Sequence, residues 1–326
     1  MRVSTVAVVF AAALAPAAHA QENLVLATAS TGGTYYPVGV GIARVVSEAA
    51  PDLRVDAVTS GGSTENVRLI ARDEVDMAIS NGVVTSLARS GEEGFDASEH
   101  GDLRTMFALW GNVEHHLALK DAVQTGTVDD LNSLDGKYNI GGRQSGARTA
   151  ATLMLRGLGI DPEGLDLEYI ATYGEAGSAL QDGRIAAANL GAGVPVAAVT
   201  EAYATLGDDV TILSFTDAQL ARIEENSPGL WYPTEIPAGS YPGQDDPIPT
   251  AAYANFMIVD ADVPEETVYK FMTAVFDNID QVHDIHPAAQ EITLEAATSG
   301  LSAPLHPGAV RFYEERGIEV PDRLRP

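Results

Sequence analysis

Leu24-Val25-Leu26-Ala27-Thr28-Ala29-Ser30-Thr31-Gly32-Gly33-Thr34-Tyr35-Tyr36-Pro37 is the stretch from which the fold can be read. Leu24 to Thr28 has the apolar character of a buried strand. The glycine pair ends it. Beyond the pair, Ile42, Val45, Val46 and Ala49 recur at i, i+3, i+4 and i+7, the spacing of one helix face. The same strand–turn–helix unit returns downstream. Arg54 to Thr59 alternates as a strand and turns through Ser60-Gly61-Gly62-Ser63, where Ser63 suits the N-cap of a helix from Thr64 with Asn66 in its first turn. Val75 to Ile79 is a third strand, ending in Ser80-Asn81-Gly82 before more helix. Strands alternating with helices imply parallel pairing with right-handed crossovers.

The pattern starts afresh in the second half. Lys137 to Ile140 reads as a strand, followed by Gly141-Gly142-Arg143-Gln144-Ser145-Gly146-Ala147-Arg148-Thr149 and a helix with Ala150, Leu153, Met154, Gly157 and Leu158 on one face. Leu167 to Ile170 leads through Tyr173-Gly174 into a helix near Ala176–Gln181. Ile185 to Leu190 ends in Gly191-Ala192-Gly193, with Pro195 suited to the next helix's first turn, and Val210 to Phe215 closes the half. Residues 226–250, rich in Pro, Gly, Tyr and Asp, read as an irregular return loop. Ala251 to Val259 is strand-like, and Glu265 to Ile279 is an amphipathic helix with Val268, Phe271, Met272, Val275, Phe276 and Ile279 inward. The remainder reads as helical, broken near Pro304–Gly308.

These units predict an α/β protein of two lobes, each a mostly parallel sheet flanked by helices. The expected divisions are 1–20 as a leader, 21–115 as the first lobe, 116–248 as the second, and 249–326 returning to the first. In open parallel sheets, ligands bind beyond the carboxyl ends of the strands, where the turns open helices. A helix N-terminus offers unpaired N–H groups and about half a positive charge, which suits a carboxylate or phosphate. Ser30, Thr31, Gly32, Gly33, Thr34, Tyr35 and Tyr36 form the leading candidate loop, because adjacent tyrosines on a turn need something to pack against or bind. Ser60, Gly61, Gly62, Ser63, Asn66 and Asn81 are expected on the same lobe. Arg143, Gln144, Ser145, Gly146, Ala147, Arg148, Thr149, Tyr173 and Gly191 are expected to face them from the other. Arg143 and Arg148 are candidate carboxylate partners or surface ion-pair residues.

Composition narrows the function. The chain has 326 residues and 45% hydrophobic content, enough for about two packed domains. Its formal charge of -27 argues against nucleic-acid binding, which needs clustered Lys and Arg. With no cysteine there is no thiol or disulfide chemistry. Arg2, the apolar run Val6–Leu14 and Ala18-His19-Ala20 read as a secretory signal peptide cleaved after Ala20, placing the mature chain in the periplasm. No later run is long and apolar enough to span a bilayer. His283 and His286 are a possible metal pair, but no third ligand stands at a telling spacing. His115-His116 falls where the chain should cross between lobes and reads as structural. No Gly-x-Ser-x-Gly elbow or phosphate-loop lysine occurs, so no catalysis, metal or cofactor is expected.

The motifs resemble those of the TAXI family, the extracytoplasmic receptors associated with TRAP transporters. Ser30 to Gly39 resembles its opening signature, and Thr59-Ser60-Gly61-Gly62-Ser63-Thr64-Glu65-Asn66 its second loop. Ile140 to Arg148 is similar to its Gly-Ser-Gly-Thr loop, with Arg143 and Gln144 standing where smaller residues are usual and Ala147 replacing a common Thr. Leu305 to Tyr313 resembles its C-terminal signature. The resemblance implies a type II periplasmic-binding fold that closes by a hinge on a small anionic ligand. It implies a dicarboxylate or acidic amino acid such as 2-oxoglutarate or glutamate, with TRAP membrane subunits as partner. A monomer is expected. The alternatives are a ligand-binding partner of a membrane sensor kinase and a secreted enzyme on the same scaffold.

Overall fold

The computed structural model describes residues 21–326, so the expected signal peptide lies outside the described residues. The first lobe opens with β1 (Glu22–Ala27), α1 (Tyr35–Ala49), β2 (Leu53–Val58), α2 (Ser63–Ile70), β3 (Met77–Asn81), α3 (Gly82–Ser90) and β4 (Leu103–Val113). The chain then enters the second lobe: β5 (His116–Leu119), β6 (Tyr138–Asn139), α4 (Gly146–Leu158), β7 (Leu167–Glu168), α5 (Tyr173–Gln181), β8 (Ala187–Asn189), α6 (Ala197–Leu206), β9 (Val210–Ile212) and α7 (Asp217–Asn226). It returns through β10 (Tyr232–Ile236) and β11 (Ile248–Asp260), and ends with α8 (Glu265–Asp277), α9 (Ile279–His283) and α10 (Pro307–Glu315).

Two sheets result. One has the order β10-β11-β3-β1-β2 with β4 also on β11, and the other β7-β6-β8-β5-β9. The βαβ units pair in parallel as their patterning demands: β1 with β2 and β3, and β6 with β7 and β8. The strands that carry the chain between lobes are antiparallel. β11 pairs that way with β3, β4 and β10, and β5 with β8 and β9. The two crossings hold each other at one point, where Glu114 N–H donates to Ala251 O at 2.9 Å and Thr250 Oγ1 donates to Glu114 O at 2.9 Å.

The helix faces expected to be buried are buried, including Ile42, Val45 and Val46 on α1 and Val268, Phe271, Met272 and Val275 on α8. They pack with Leu26, Phe107, Phe256 and Phe312 into one large core that continues through Ile140 and Met154 of the second lobe. Several expectations differ from the structure. The stretch 226–250 contains α7's last residue and β10, an edge strand whose Pro233 and Glu235 hid its pairing, so the first sheet resumes before residue 249. Pro195 precedes α6, which starts at Ala197, and the Val194–Pro195 peptide is cis. The helix expected through Ile279 stops at Asp277, and the tail beyond α9 is mostly turns.

Candidate functional site

The turns at the carboxyl ends of β1, β2, β3, β6 and β8 meet between the lobes around a cavity of about 50 Å³. Local chemistry sets each turn. Gly62, at φ +101°, sits in the left-handed region that L side chains avoid, and it delivers the chain into α2 at Ser63. Gly141, at φ +110°, does the same service ahead of α4. Asn81 and Ser145 cap α3 and α4, accepting the N–H of Val84 at 2.7 Å and of Arg148 at 3.1 Å. Thr172 caps α5, accepting the N–H of Glu175 at 3.3 Å. The first turns of α1, α2, α3, α4 and α5 therefore begin at one gap, and a helix's first N–H groups have no partner within the helix.

From the first lobe the cavity is lined by Ser30, Gly33, Thr34, Tyr35, Gly61, Gly62, Ser63 and Asn81. From the second it is lined by Ser145, Gly146, Ala147, Tyr173 and Gly191. No charged side chain is among its lining residues. Tyr35 is the buried member of the tyrosine pair: its hydroxyl donates to Asn255 Oδ1 at 2.5 Å and lies 3.3 Å from Ser63 Oγ. Asn255 in turn donates to Asn112 Oδ1 and to Trp110 O, both at 2.8 Å. Burial pushes the phenols of Tyr35 and Tyr173 well above the ordinary tyrosine range, so both remain neutral. Tyr173 donates to Gly191 O at 2.7 Å.

The lobes touch across this gap. Thr34 Oγ1 donates to Gly193 O at 2.9 Å, Thr64 Oγ1 lies 2.9 Å from Thr149 Oγ1, and Glu65 N–H donates to Gln144 O at 3.1 Å. The structure is that of a closed cleft.

Other candidate residues lie off the cavity, each for a visible reason. Arg143 is exposed, with its guanidinium 4.0 Å from the centre of the Tyr169 ring. Arg148 donates to Arg143 O at 2.8 Å and also faces Tyr169, so neither arginine is among the lining residues. We expect Arg143→Ala to leave ligand affinity within roughly twofold and to cost no more than about 1 kcal/mol of stability, the usual worth of an exposed cation–π pair; calorimetry and thermal unfolding check both. Asn66 is fully buried and outside the lining: its Nδ2 donates to Thr28 O and Ile79 O, both at 2.7 Å, tying the ends of β1 and β3 together. Ser60 Oγ lies 2.6 Å from Asn66 Oδ1 and accepts from Gly62 N–H. Thr149 and the Gln144 backbone belong to the lobe contact, and the Gln144 side chain is exposed. Thr31 is exposed, Tyr36 is half-buried outside the lining, and Gly32 packs on the Tyr173–Gly174 backbone, where a Cβ would lie 2.9 Å from Gly174 N.

Sequence reasoning passed over Ala29, Asn112, Ala171 and Ala192, which also line the cavity. The alanines carry no signal. Asn112 carried one: it is a polar residue in the otherwise apolar run Met106–Val113, followed by Glu114 and two histidines.

The candidate metal pair, His283 and His286, is engaged by the backbone. His283 Nε2 is 2.8 Å from Ile292 O, and His286 accepts from Ala288 N–H at 3.0 Å beyond the end of α9. Among the described residues no group of three or more His, Asp or Glu is placed to hold a metal. No helix among them is long and apolar enough to cross a membrane.

Two sheets flanked by helices, with strand-end turns from both facing a shared cleft, make this a protein of the type II periplasmic-binding fold. The chain belongs to the NMT1-like family, whose model matches residues 26–317. Among solved structures it is similar to MatC from Rhodopseudomonas palustris with bound malate, at a TM-score of 0.53 and 14% identity over 82% of this chain and 88% of that one. It is also similar to a Bordetella bronchiseptica protein, at a TM-score of 0.53 and 16% identity over 92% and 90%. The periplasmic aliphatic sulphonate binding protein SsuA from Escherichia coli matches at a TM-score of 0.45 and 14% identity over 93% and 96%. At these identities the likeness is one of fold.

Proposed function

We propose that the protein is an exported solute-binding protein that captures a small carboxylate-bearing metabolite between its lobes and delivers it to a membrane transporter. The single observation that carries this reading is the convergence of helix N-termini from both lobes, with hydroxyl and amide groups, on a cavity without charged side chains. Such a site favours an anion without a counter-charge, because its donors are fixed dipoles. It does so in a chain whose formal charge is -27, where only local donors can hold a negative ligand. The cavity, about 50 Å³, limits the ligand to a small molecule. MatC, which shares the fold, is known with malate bound. The motif resemblance supports a TRAP-type partner of the TAXI class and a C4–C6 dicarboxylate or acidic amino acid, with 2-oxoglutarate and glutamate as first choices.

Calorimetry with C4–C6 dicarboxylates and acidic amino acids is expected to give one-to-one binding to at least one of them. Ser30 lines the cavity, and among the described residues no hydrogen bond engages its hydroxyl. Ser30→Ala should therefore leave stability nearly unchanged and weaken binding about tenfold or more, the worth of a hydrogen bond to a charged group. Absence of binding across the panel would reject the reading, and unchanged affinity in Ser30→Ala would remove that loop from the site.

A further inference from the structure

Behind the cavity, where the two crossings meet, a group of polar side chains is sealed from water. Glu114, His116, Asn189 and Tyr253 are each 0% exposed. Glu114 Oε2, His116 Nε2, Asn189 Oδ1 and Tyr253 OH have no hydrogen-bond partner among the described residues. The four come from both sides of the joint: Glu114 from the crossing itself, His116 and Asn189 from the second lobe's sheet, and Tyr253 from β11 of the first. Gly191, a cavity-lining residue, marks their meeting point, since a Cβ built there would lie 3.0 Å from Tyr253 OH and 3.2 Å from Glu114 Oε2.

Nothing here balances a negative charge on Glu114. Trp231 Nε1–H reaches its Oε1 at 3.4 Å, a long bond, and His116 Nε2 stands 3.9 Å from Oε2. His115 points away, with Nδ1 2.8 Å from Val113 O and Nε2 2.7 Å from Tyr241 OH. The other titratable groups facing Glu114 are the phenols of Tyr138 on β6, Tyr173 on α5 and Tyr253 on β11, all neutral. A carboxylate buried without a cation or several donors is strongly disfavoured.

We propose that Glu114 is a proton-operated latch in the interlobe joint: neutral, it lets the two lobes seal, and ionised, it draws water into the joint and opens them. This rests on the reading of the cleft as one that opens and closes. The direction of titration agrees with the geometry. Burial raises the Glu114 carboxyl to about 8, and lowers His115 to about 4 and His116 to about 3, so at neutral pH all three are uncharged. A group whose pKa is raised in the closed state favours that state while protonated and loses the preference as pH rises. If the carboxyl regains its ordinary acidity on opening, the closed-to-open ratio falls by about a hundredfold between about pH 6 and 9.

The absence of native cysteine allows one to be placed on each lobe, Ala71→Cys and Glu163→Cys, at exposed positions. Pulsed electron-paramagnetic distances between spin labels there, in ligand-free protein, should lengthen from pH 6 to pH 9. Glu114→Gln, which keeps shape and neutrality, should hold the shorter distance at both. A distance that ignores pH, or one that shifts equally in Glu114→Gln, overturns the latch. Carbon-13 NMR of the glutamate carboxyls gives a second reading in unsubstituted protein. A resonance that titrates well above 4.5, between the open and closed values, and is lost in Glu114→Gln supports the proposal, and its ordinary titration near 4.5 overturns it. Neither measurement uses a ligand, so failure here is separate from failure of the solute-binding reading.

Discussion

Gly146→Ala should weaken ligand binding by about 10- to 100-fold while leaving the ligand-free protein as stable as before or slightly more so. The reason is steric and directional. Gly146 opens α4 on the second lobe and lies against the first: a Cβ there would stand 2.5 Å from Ser63 Cβ and 2.6 Å from both Ser63 Oγ and Asn81 Nδ2. Ser63 and Asn81 cannot yield easily. Ser63 Oγ accepts Asn81 N–H at 3.0 Å, and Asn81 caps α3 through Val84 N–H at 2.7 Å. Overpacking of this kind costs about 1–3 kcal/mol, which opening the cleft relieves and closing it restores, so the cost appears in affinity. Gly146 is not in the left-handed region, so alanine there mainly restricts the unfolded chain, a gain of about 0.4–1 kcal/mol. Calorimetry and thermal unfolding on one sample separate the two effects. Affinity unchanged from the parent protein would mean that capture does not require the contact seen between α4 and the first lobe.

Asn66→Ala should behave in the opposite way, destabilising the protein by roughly 3–5 kcal/mol, since each buried polar group left unpaired costs about 1–3 kcal/mol. The side chain serves Thr28 O, Ile79 O and Ser60 Oγ at once, from a fully buried position. Those partners sit at the ends of β1 and β3 and in the turn after β2, so Asn66 clamps the first lobe's edge of the site without lining it. A fall in melting temperature of roughly 6–12 °C is expected. Loss of affinity with stability intact would instead return Asn66 to the binding surface.

The two residues show what the sequence could and could not convey. Gly and hydroxyl residues between a strand and a helix are a local signal, and the loops from Ser30, Gly61 and Ser145 do line one cavity. The direction in which a side chain leaves its loop is set by tertiary contacts. Asn66 turns inward because two strand ends offer carbonyls to it, and Arg143 turns outward onto Tyr169, a ring distant in the sequence. β4 escaped notice for a different reason. Met106 to Val113 is buried on both faces, so it shows no alternation and looks like any apolar run. Missing β4 also concealed the crossing at Glu114, since a lone acidic residue between a strand and two histidines has no local reading apart from the joint it occupies.

The most direct test of the claim that both lobes close on an anion is a crystal structure of the protein loaded with the tightest-binding carboxylate from the calorimetric panel. Density for the carboxylate is expected between the Ser30–Tyr35 turn and the Ser145–Ala147 turn, within hydrogen-bond distance of groups from each. Density seated elsewhere, such as the groove beside Trp110 and Tyr232, with the interlobe gap filled only by water, would contradict it.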